Sequence, residues 1–281
     1  MAKCVALIGA AGKMGTRLTR NLLHSEYDVL LCEKDDAATA RLHEQGLRAT
    51  PTEEAVRRAD TIILAVPDAA IRVVSAALVP PAPAGATFLL LDPAAAAADE
   101  VARRDDLHYV VCHPCHPPLF GEAPPAGQPR DFFGGVSAPQ DIVIALLQGS
   151  EEAFAEAKAL CRRLFAPVAA VHRVTVEQMA LLEPAMAEVV AASAAVLMGQ
   201  ALEEAVRAGV PREAARAFML GHAQIPLAIV FGAIGSPFSD AAQIAVRWGT
   251  ERIIRPDWQR VFEPANVRAV IHAMLHPEDA P

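Results

Sequence analysis

A short run near the middle of the chain brings together residues that could bind a metal or carry a proton. Two histidines and two cysteines follow an apolar stretch, and prolines stiffen the turn that they form: Cys112-His113-Pro114-Cys115-His116-Pro117-Pro118. Imidazole and thiolate are zinc ligands, and imidazole is the side chain that exchanges protons near neutral pH. The turn therefore predicts a metal site or an acid–base group at the end of a strand.

The two cysteines of this turn also fit C-x-x-C, the spacing of a redox pair or of half a zinc site. A redox pair needs its first thiol at a helix N-terminus, but Pro117 and Pro118 follow, and the sequence holds no second C-x-x-C. We therefore predict that Cys112 is a buried strand cysteine and that His113 and His116 are functional. The plain alternative for His113 is a ring that merely binds local carbonyls.

The chain opens with a nucleotide-binding pattern. The apolar run Cys4–Ile8 leads into Gly9-Ala10-Ala11-Gly12-Lys13-Met14-Gly15, and a stretch with helical spacing follows. Strand, glycine turn and helix stand in the order that points a helix N-terminus at a pyrophosphate, although a plain strand–turn–helix corner is the alternative. The first glycine permits the tight turn, the second lets phosphates approach, and the third lets helix and strand pack. The predicted cofactor-binding residues here are Gly9, Gly12, Lys13 and Met14.

An acidic residue at the end of the second strand is the next part of that pattern. Glu33 ends the apolar stretch 27–32, and a carboxylate there accepts hydrogen bonds from the ribose hydroxyls of NAD. Lys34 beside it could tolerate the extra phosphate of NADP, but the carboxylate favours NAD. A third strand, 61–66, stops at Pro67 and Asp68, so Val66, Pro67 and Asp68 are predicted to touch the cofactor as well.

The remaining elements predict an α/β fold, a Rossmann-type doubly wound sheet followed by an all-α C-terminal domain. Further strands are expected at 87–91, 107–112, 142–147 and 168–174, and only helical patterns follow. We expect an NAD-binding domain over 1–174 and a helical substrate and dimerisation domain over 175–281.

The helical part begins at Thr175, with Gln178 at the capping-box position and Pro184 expected to kink or restart the helix. Residues 189–198 are apolar nearly all round, so they must be buried on every side. A domain of this size usually needs a second subunit for that, which predicts a homodimer.

Glu183 lies on the apolar face of this helix, where a solvated glutamate would be the ordinary interpretation. Many two-domain dehydrogenases carry a catalytic lysine on the corresponding helix, but the last lysine of this chain is Lys158. The absence of the usual base suggests a metal instead. Glu177 and Glu188 are weaker candidates on the same helix.

Composition limits the partners. The 281-residue chain has a formal net charge of −8, which argues against nucleic acid. We expect no secretion signal and no membrane span, because the longest apolar stretch, 189–202, is short for a bilayer. Five scattered cysteines favour a reducing cytoplasm.

Several motifs together resemble the D-apionate oxidoisomerases, within the 6-phosphogluconate and prephenate dehydrogenase superfamily. They are Gly12–Gly15, His113–Pro118, Arg130-Asp131-Phe132-Phe133-Gly134-Gly135 and His172–Met179. The resemblance implies an NAD-dependent enzyme that oxidises a branched sugar acid and rearranges its carbon skeleton to 3-oxo-isoapionate. It also implies a divalent metal held by His113 and Glu183. Together with His116 of the same turn, these two are the predicted catalytic residues.

The donor types leave the metal open between zinc, which we expect first, and a harder ion such as magnesium. Substrate oxygens or a second subunit would have to supply further ligands. Two other functions fit parts of the sequence. A prephenate-dehydrogenase-like enzyme would use His113 as an acid–base group without metal, and a non-catalytic NAD-sensing protein would bind NAD without turnover.

Overall fold

The computed structural model describes residues 2–124 and 126–279. Its sheet has seven strands: β1 Cys4–Ile8, β2 Asp28–Cys32, β3 Thr61–Leu64, β4 Thr87–Leu90, β5 His108–Pro114, β6 Gln140–Gln148 and β7 Val168–Arg173. They lie in the order β2-β1-β3-β4-β5-β6-β7. The apolar runs form strands because helices cover the sheet on both faces, so side chains on either face avoid water. The predicted fold class is confirmed.

The sheet is parallel from β2 to β5 and then reverses. β6 pairs antiparallel with β5, and β7 runs parallel to β6. The first residues of β6 therefore lie beside the last residues of β5, where the N–H of Cys115 donates to the carbonyl of Asp141 at 2.9 Å. This reversal brings the loop before β6 to the edge of the sheet that carries the ends of β1, β3, β4 and β5.

The described residues up to Ala180 form these helices around the sheet: α1 Lys13–Leu23, α2 Asp36–Glu44, α3 Thr52–Arg58, α4 Asp68–Leu78, α5 Ala94–Ala97, α6 Glu151–Leu164 and α7 Val176–Ala180. Local sequence sets several of their starts, since Asp35 and Ser150 each accept an N–H of the first turn. α1 buries Leu18 and Leu22, and α6 buries Phe154, against the core of the sheet. These contacts hold the glycine turn at the start of α1.

The long helix after β7 begins as predicted. Thr175 and Gln178 form a reciprocal capping box, with N···O distances of 3.0 and 3.1 Å. α7 continues into a π-helical segment, Leu181–Ala192, which contains Pro184. Proline cannot donate to the residue four before it, and a wider helical turn tolerates that loss. The helix is continuous through Pro184, so the restart that the sequence suggested as one possibility does not occur. Pro184 instead lies where the hydrogen-bonding pattern of the helix changes.

The chain forms two compact units. One comprises Met1–Ala180 with Arg268–Pro281, and the other comprises Leu181–Val267. The first unit therefore runs past the expected boundary at 174/175 and takes back the C-terminal residues; the functional division of the chain at 174/175 stays a prediction.

The second unit is helical. After the π-helical segment it contains α8 Ser193–Arg207, α9 Arg212–Val230, α10 Asp240–Ile253 and a 3-10 turn, Trp258–Phe262. The last helix, α11 Pro264–Leu275, begins in this unit and ends in the first, before a 3-10 turn at Pro277–Asp279. Ser239 caps α10 by accepting the N–H of Ala242, and Pro211 is the N-cap residue of α9.

Large apolar side chains of the second unit are exposed. All of α8 is described, and none of its residues is buried. Val196 is 60% exposed, Phe218 67% and Trp248 59%. The all-round burial expected at 189–198 is therefore not found among the described residues, because Val189 and Val190 are half-buried and residues 191–197 are exposed.

The continuous helix Val176–Arg207 has 32 residues and a window of mean hydropathy 1.6, so it is long and apolar enough to cross a membrane. The stretch 189–202 alone did not suggest this. One such helix is weak evidence by itself, because the interface helix of a soluble protein has the same composition. The first half of this helix contains three acidic residues, Glu177, Glu183 and Glu188.

Candidate active site

The glycine turn between β1 and α1 has the shape that a bound pyrophosphate needs. Gly9 has φ +88°, and a Cβ there would strike the carbonyl of Ala65. A Cβ on Gly15 would overlap the carbonyl of Gly9. Gly12 is the N-cap residue of α1, and no side chain caps the helix. The N–H groups of the first helical turn can therefore donate to a bound phosphate. The close packing explains the glycine pattern, and Lys13 and Met14 follow as the first residues of the helix.

Glu33 directly follows β2 and reaches back to the glycine turn. Its Oε1 accepts the N–H of Ala11, while the N–H groups of Gly9 and Ala10 bind the carbonyl of Cys32 at 3.0 and 3.2 Å. Burial raises the pKa of the Cys32 thiol to about 12, so this neighbour stays neutral. The carboxylate of Glu33 is thus the acidic group at the end of β2, where the fold places a nucleotide ribose.

The end of β3 also adjoins the turn. The N–H of Ala65 donates to the carbonyl of Ile8 at 2.9 Å, which holds the loop after β3 against the end of β1. Val66 and Pro67 follow, and α4 begins at Asp68 with Pro67 as its N-cap. The structure therefore brings these three predicted cofactor residues to the same edge of the sheet as the glycine turn.

His113 lies near the end of β5 and is mostly buried. Its Nδ1 is 2.7 Å from the carbonyl oxygen of Leu91 and 3.8 Å from Oδ2 of Asp92, both at the end of β4. A carbonyl can only accept, so Nδ1 carries a proton and Nε2 of the neutral ring carries the lone pair. This tautomer suits both a metal ligand and a proton acceptor.

His116 follows in the turn and adopts φ +61°, a left-handed conformation that costs a non-glycine residue about 1–2 kcal/mol. Its Nδ1 is 2.9 Å from the carbonyl oxygen of Phe133, which fixes the same tautomer as in His113. The centroids of the two imidazole rings are 6.3 Å apart, and the ring planes are nearly perpendicular. The structure therefore brings His113 and His116 together, each held through Nδ1.

The cysteines of the turn differ in exposure. Cys112 is fully buried and Cys115 is exposed, and neither forms a disulfide. Burial is the main cause that holds the pKa of the Cys112 thiol well above its usual range, and a hydrogen bond with Cys161 is the second. Cys112 is therefore the inert strand cysteine expected from the sequence.

Glu183 lies half-buried in the π-helical segment, in the second unit, whereas His113 belongs to the first. Across residues 2–124 and 126–279, no three His, Cys, Asp or Glu side chains converge into a metal-binding group. A zinc site usually draws three or four ligands from protein, while harder ions keep several waters or substrate oxygens. The described residues therefore provide no metal-binding group that contains His113 or Glu183.

A loop to which sequence reasoning gave no role completes the surroundings of His116. Asp131 accepts the N–H groups of Val136 and Ser137 at 2.9 and 3.0 Å, and Phe133 lies within the turn thus closed. The signal was present as an aspartate shortly before two glycines, a pattern typical of a tight turn.

The strand ends can thus perform two kinds of chemistry. The glycine turn, Glu33 and the loop after β3 form a dinucleotide-binding edge, and two imidazoles with basic Nε2 atoms lie at the end of β5. Ligands of open α/β sheets bind along this edge, so a proton acceptor there is suited to alcohol oxidation.

Two family descriptions match the chain. "Phosphogluconate dehydrogenase (decarboxylating) C-term" covers residues 122–275, and "NADP oxidoreductase coenzyme F420-dependent" covers residues 4–95. These matches agree with a nucleotide-binding domain followed by a helical one.

Relatives of nearly the same length carry one name. The chain is 46% identical to the D-apionate oxidoisomerase of Rhizobium rhizogenes, over 95% of this chain and 98% of that protein. It is 42% identical to the protein of the same name from Pectobacterium atrosepticum, over 97% and 96%. A crystal structure of a semialdehyde dehydrogenase NAD-binding protein from Cupriavidus necator, in complex with calcium and NAD, is 42% identical. It superposes with a TM-score of 0.94 over 98% of this chain and 100% of that one.

Proposed function

We propose that this chain, which belongs to the D-apionate oxidoisomerase family, oxidises D-apionate with NAD and rearranges the product to 3-oxo-isoapionate. The chain is an NAD-dependent oxidoreductase acting on CH–OH groups. The observation that carries the substrate proposal is the full-length identity of 38–46% to four proteins of that name. The paired imidazoles at the end of β5 support the chemistry.

NAD is the proposed cofactor, in preference to NADP. Glu33 presents a carboxylate at the end of β2, where it would accept from the ribose hydroxyls and repel a 2′-phosphate. The relative from Cupriavidus necator binds NAD. The bound nicotinamide would accept the hydride from the carbon that carries the secondary hydroxyl, giving a 2-oxo acid beside a tertiary alcohol.

We propose that His116 accepts the proton of the hydroxyl that is oxidised. Its Nδ1–H is bound to the carbonyl of Phe133, so the basic Nε2 can take that proton. In the rearrangement, the tertiary alcohol loses its proton and its oxygen becomes the new carbonyl. One carbon substituent moves with its bonding pair to the former carbonyl carbon, whose oxygen takes up a proton.

We further propose a divalent metal with His113 and Glu183 as its protein ligands. Nδ1 of His113 is bound to the Leu91 carbonyl, which leaves Nε2 as the basic nitrogen of the neutral ring. Such an ion would polarise the substrate oxygens as a Lewis acid. Zinc was the first expectation; the calcium in the structure of the Cupriavidus necator relative favours a harder ion, such as magnesium, as the alternative.

We infer that the enzyme works as a cytoplasmic homodimer in sugar-acid breakdown, with neither nucleic acid nor a membrane as partner. The net charge of −8 disfavours nucleic acid. The exposed apolar side chains of α8, α9 and α10 would be covered by a second copy. Lipid is the less favourable cover, because Glu183 and Glu188 would lie in the span.

The function is tested by NAD reduction with a panel of branched and linear aldonic acids. We expect turnover with D-apionate and little or none with linear acids. Turnover with prephenate, unaffected by a chelator, would replace the proposal by a prephenate-type dehydrogenase. NAD binding without turnover of any acid, unaffected by replacing His113, would replace it by an NAD-sensing protein.

The metal is tested by elemental analysis of the purified protein and of two variants. His113→Ala and Glu183→Gln should each lower metal content and abolish turnover while NAD affinity persists, because the glycine turn is unchanged. Glu122→Gln removes one negative charge at an exposed position and is the control; it should alter neither the metal content nor the turnover. Full activity in protein whose metal content is nil would leave His113 as a plain acid–base residue.

A further inference from the structure

The loop of residues 131–138 touches both the reactive turn and the helix that follows the glycine turn. It precedes β6, whose antiparallel pairing with β5 brings the loop to the edge where His116 lies. Phe133 and Val136 are exposed, yet Gly134 and Gly135 are buried beneath them. The loop therefore stays folded with little apolar burial of its own, and its fold needs another cause.

Asp131 supplies that cause. Its Oδ2 accepts the N–H groups of Val136 at 2.9 Å, Ser137 at 3.0 Å and Ala138 at 3.3 Å. Partial burial alone would raise the pKa of Asp131, but these N–H groups outweigh it and hold the pKa below its ordinary value. The carboxylate thus stays charged and gathers the far end of the loop around itself. Gly134 and Gly135, at φ +75° and +84°, provide the left-handed backbone that this turn requires.

The turn that Asp131 closes presents Phe133 to His116. The carbonyl oxygen of Phe133 is 2.9 Å from Nδ1 of His116, and the two rings meet edge to face with centroids 6.0 Å apart. The carbonyl sets the tautomer, and the ring limits rotation of the imidazole. His116 needs such support because its own backbone is left-handed.

Two arginines of α1 fasten the same loop to the helix that begins at the glycine turn. The guanidinium carbon of Arg17 lies 4.1 Å from the centroid of the Phe133 ring, in cation–π geometry. Nη2 of Arg20 donates to the carbonyl of Gly135 at 2.9 Å. The loop is therefore held from both sides, internally by Asp131 and externally by α1.

We propose that Asp131 is a positioning residue, which folds loop 131–138 so that the Phe133 carbonyl holds His116 in its active tautomer, with Arg17 anchoring Phe133. The inference rests on the proposed function in so far as His116 acts on the substrate. Asp131 itself touches no reacting atom and acts through His116.

A double-mutant cycle of Asp131 and His116 tests this. Asp131→Asn should lower kcat by roughly 10–100-fold, the usual cost of losing a group that orients a functional histidine, with NAD affinity within about twofold. In a His116→Ala background, Asp131→Asn should cause no further loss, because both changes remove one function. Asp105→Asn, an exposed change of the same kind before β5, should leave kcat unchanged. Additive losses would overturn the proposal.

Arg17→Met provides a second variant on the surface of α1, in case Asp131→Asn fails to fold. It keeps an unbranched side chain but loses the charge over Phe133, and should lower kcat by roughly 2–5-fold. Weaker NAD binding with unchanged kcat would assign Arg17 to the cofactor and remove it from the proposal.

A readout without substrate separates this inference from the proposed function. The ring nitrogen shifts of His116 in 15N-labelled protein at about pH 8.5 should report one tautomer, protonated at Nδ1, and a mixture in Asp131→Asn. An unchanged tautomer in Asp131→Asn would overturn the inference. Absence of turnover with D-apionate in the unmodified protein, with the tautomer shift as expected, would overturn the proposed function alone.

Discussion

Replacing Glu33 tests how the end of β2 selects the cofactor. The carboxylate of Glu33 has two tasks, since it accepts the N–H of Ala11 in the glycine turn and is expected to accept the ribose hydroxyls of NAD. Glu33→Gln keeps an acceptor oxygen for Ala11 and removes the charge. Glu33→Ala removes both. The two variants therefore separate support of the turn from recognition of the ribose.

The magnitudes follow from these contacts. A hydrogen bond to a charged acceptor contributes about 1.5–3 kcal/mol, and a neutral one about 1 kcal/mol. Glu33→Gln should therefore weaken the binding of NADH by about 1.5 kcal/mol, or about tenfold in Kd. The binding of NADPH should not weaken, because the variant no longer repels the 2′-phosphate. The preference for NADH should narrow by about tenfold or more. Glu33→Ala should in addition lower Tm by about 2–4 °C, because the Ala11 N–H loses its partner.

The assay is fluorescence titration of each protein with NADH and NADPH at fixed ionic strength. Glu44→Gln removes one negative charge at an exposed position at the end of α2 and is the control; it should change the Kd of neither cofactor. Equal affinity of the unmodified protein for both cofactors, or an unchanged preference in Glu33→Gln, would refute the assignment of Glu33.

Three other outcomes are expected. Gly15→Ala should abolish NAD binding and cost about 1–3 kcal/mol of stability or more, measured by titration and thermal melting, because its Cβ would overlap the Gly9 carbonyl. A hydrogen bond to Glu100 raises the pKa of His276, so His276→Gln should lower Tm at about pH 6 and leave it unchanged at about pH 9; a deficit independent of pH would contradict this. Sedimentation at micromolar concentration should give a dimer or larger, and a stable monomer of 29.8 kDa would contradict the inferred partner surface.

Much of the first unit could be predicted from the sequence, because its signals are local. The strand Cys4–Ile8 is a continuous apolar run, and the three glycines fall where backbone atoms meet. The capping box at Thr175 depends on two residues three positions apart. Such features need no knowledge of the rest of the chain.

The parts that escaped prediction depend on distant contacts. Phe133 supports His116 from 17 positions away, and the Leu91 carbonyl binds His113 from 22 positions away. Sequence spacing contains neither relation. The contact of His113 depends on the parallel pairing of β4 with β5, and that of His116 depends on the reversal of β6. The π-helical segment around Pro184 was not predicted either, because the pattern indicated only a kinked or restarted helix.

Identification of the reaction product tests the central claim most directly. D-Apionate labelled with 13C should be converted with one equivalent of NAD and followed by NMR. The account predicts one NADH formed per substrate consumed and the rearranged ketone, 3-oxo-isoapionate, as product. Accumulation of the unrearranged 2-oxo acid, or consumption of no D-apionate at all, would contradict it.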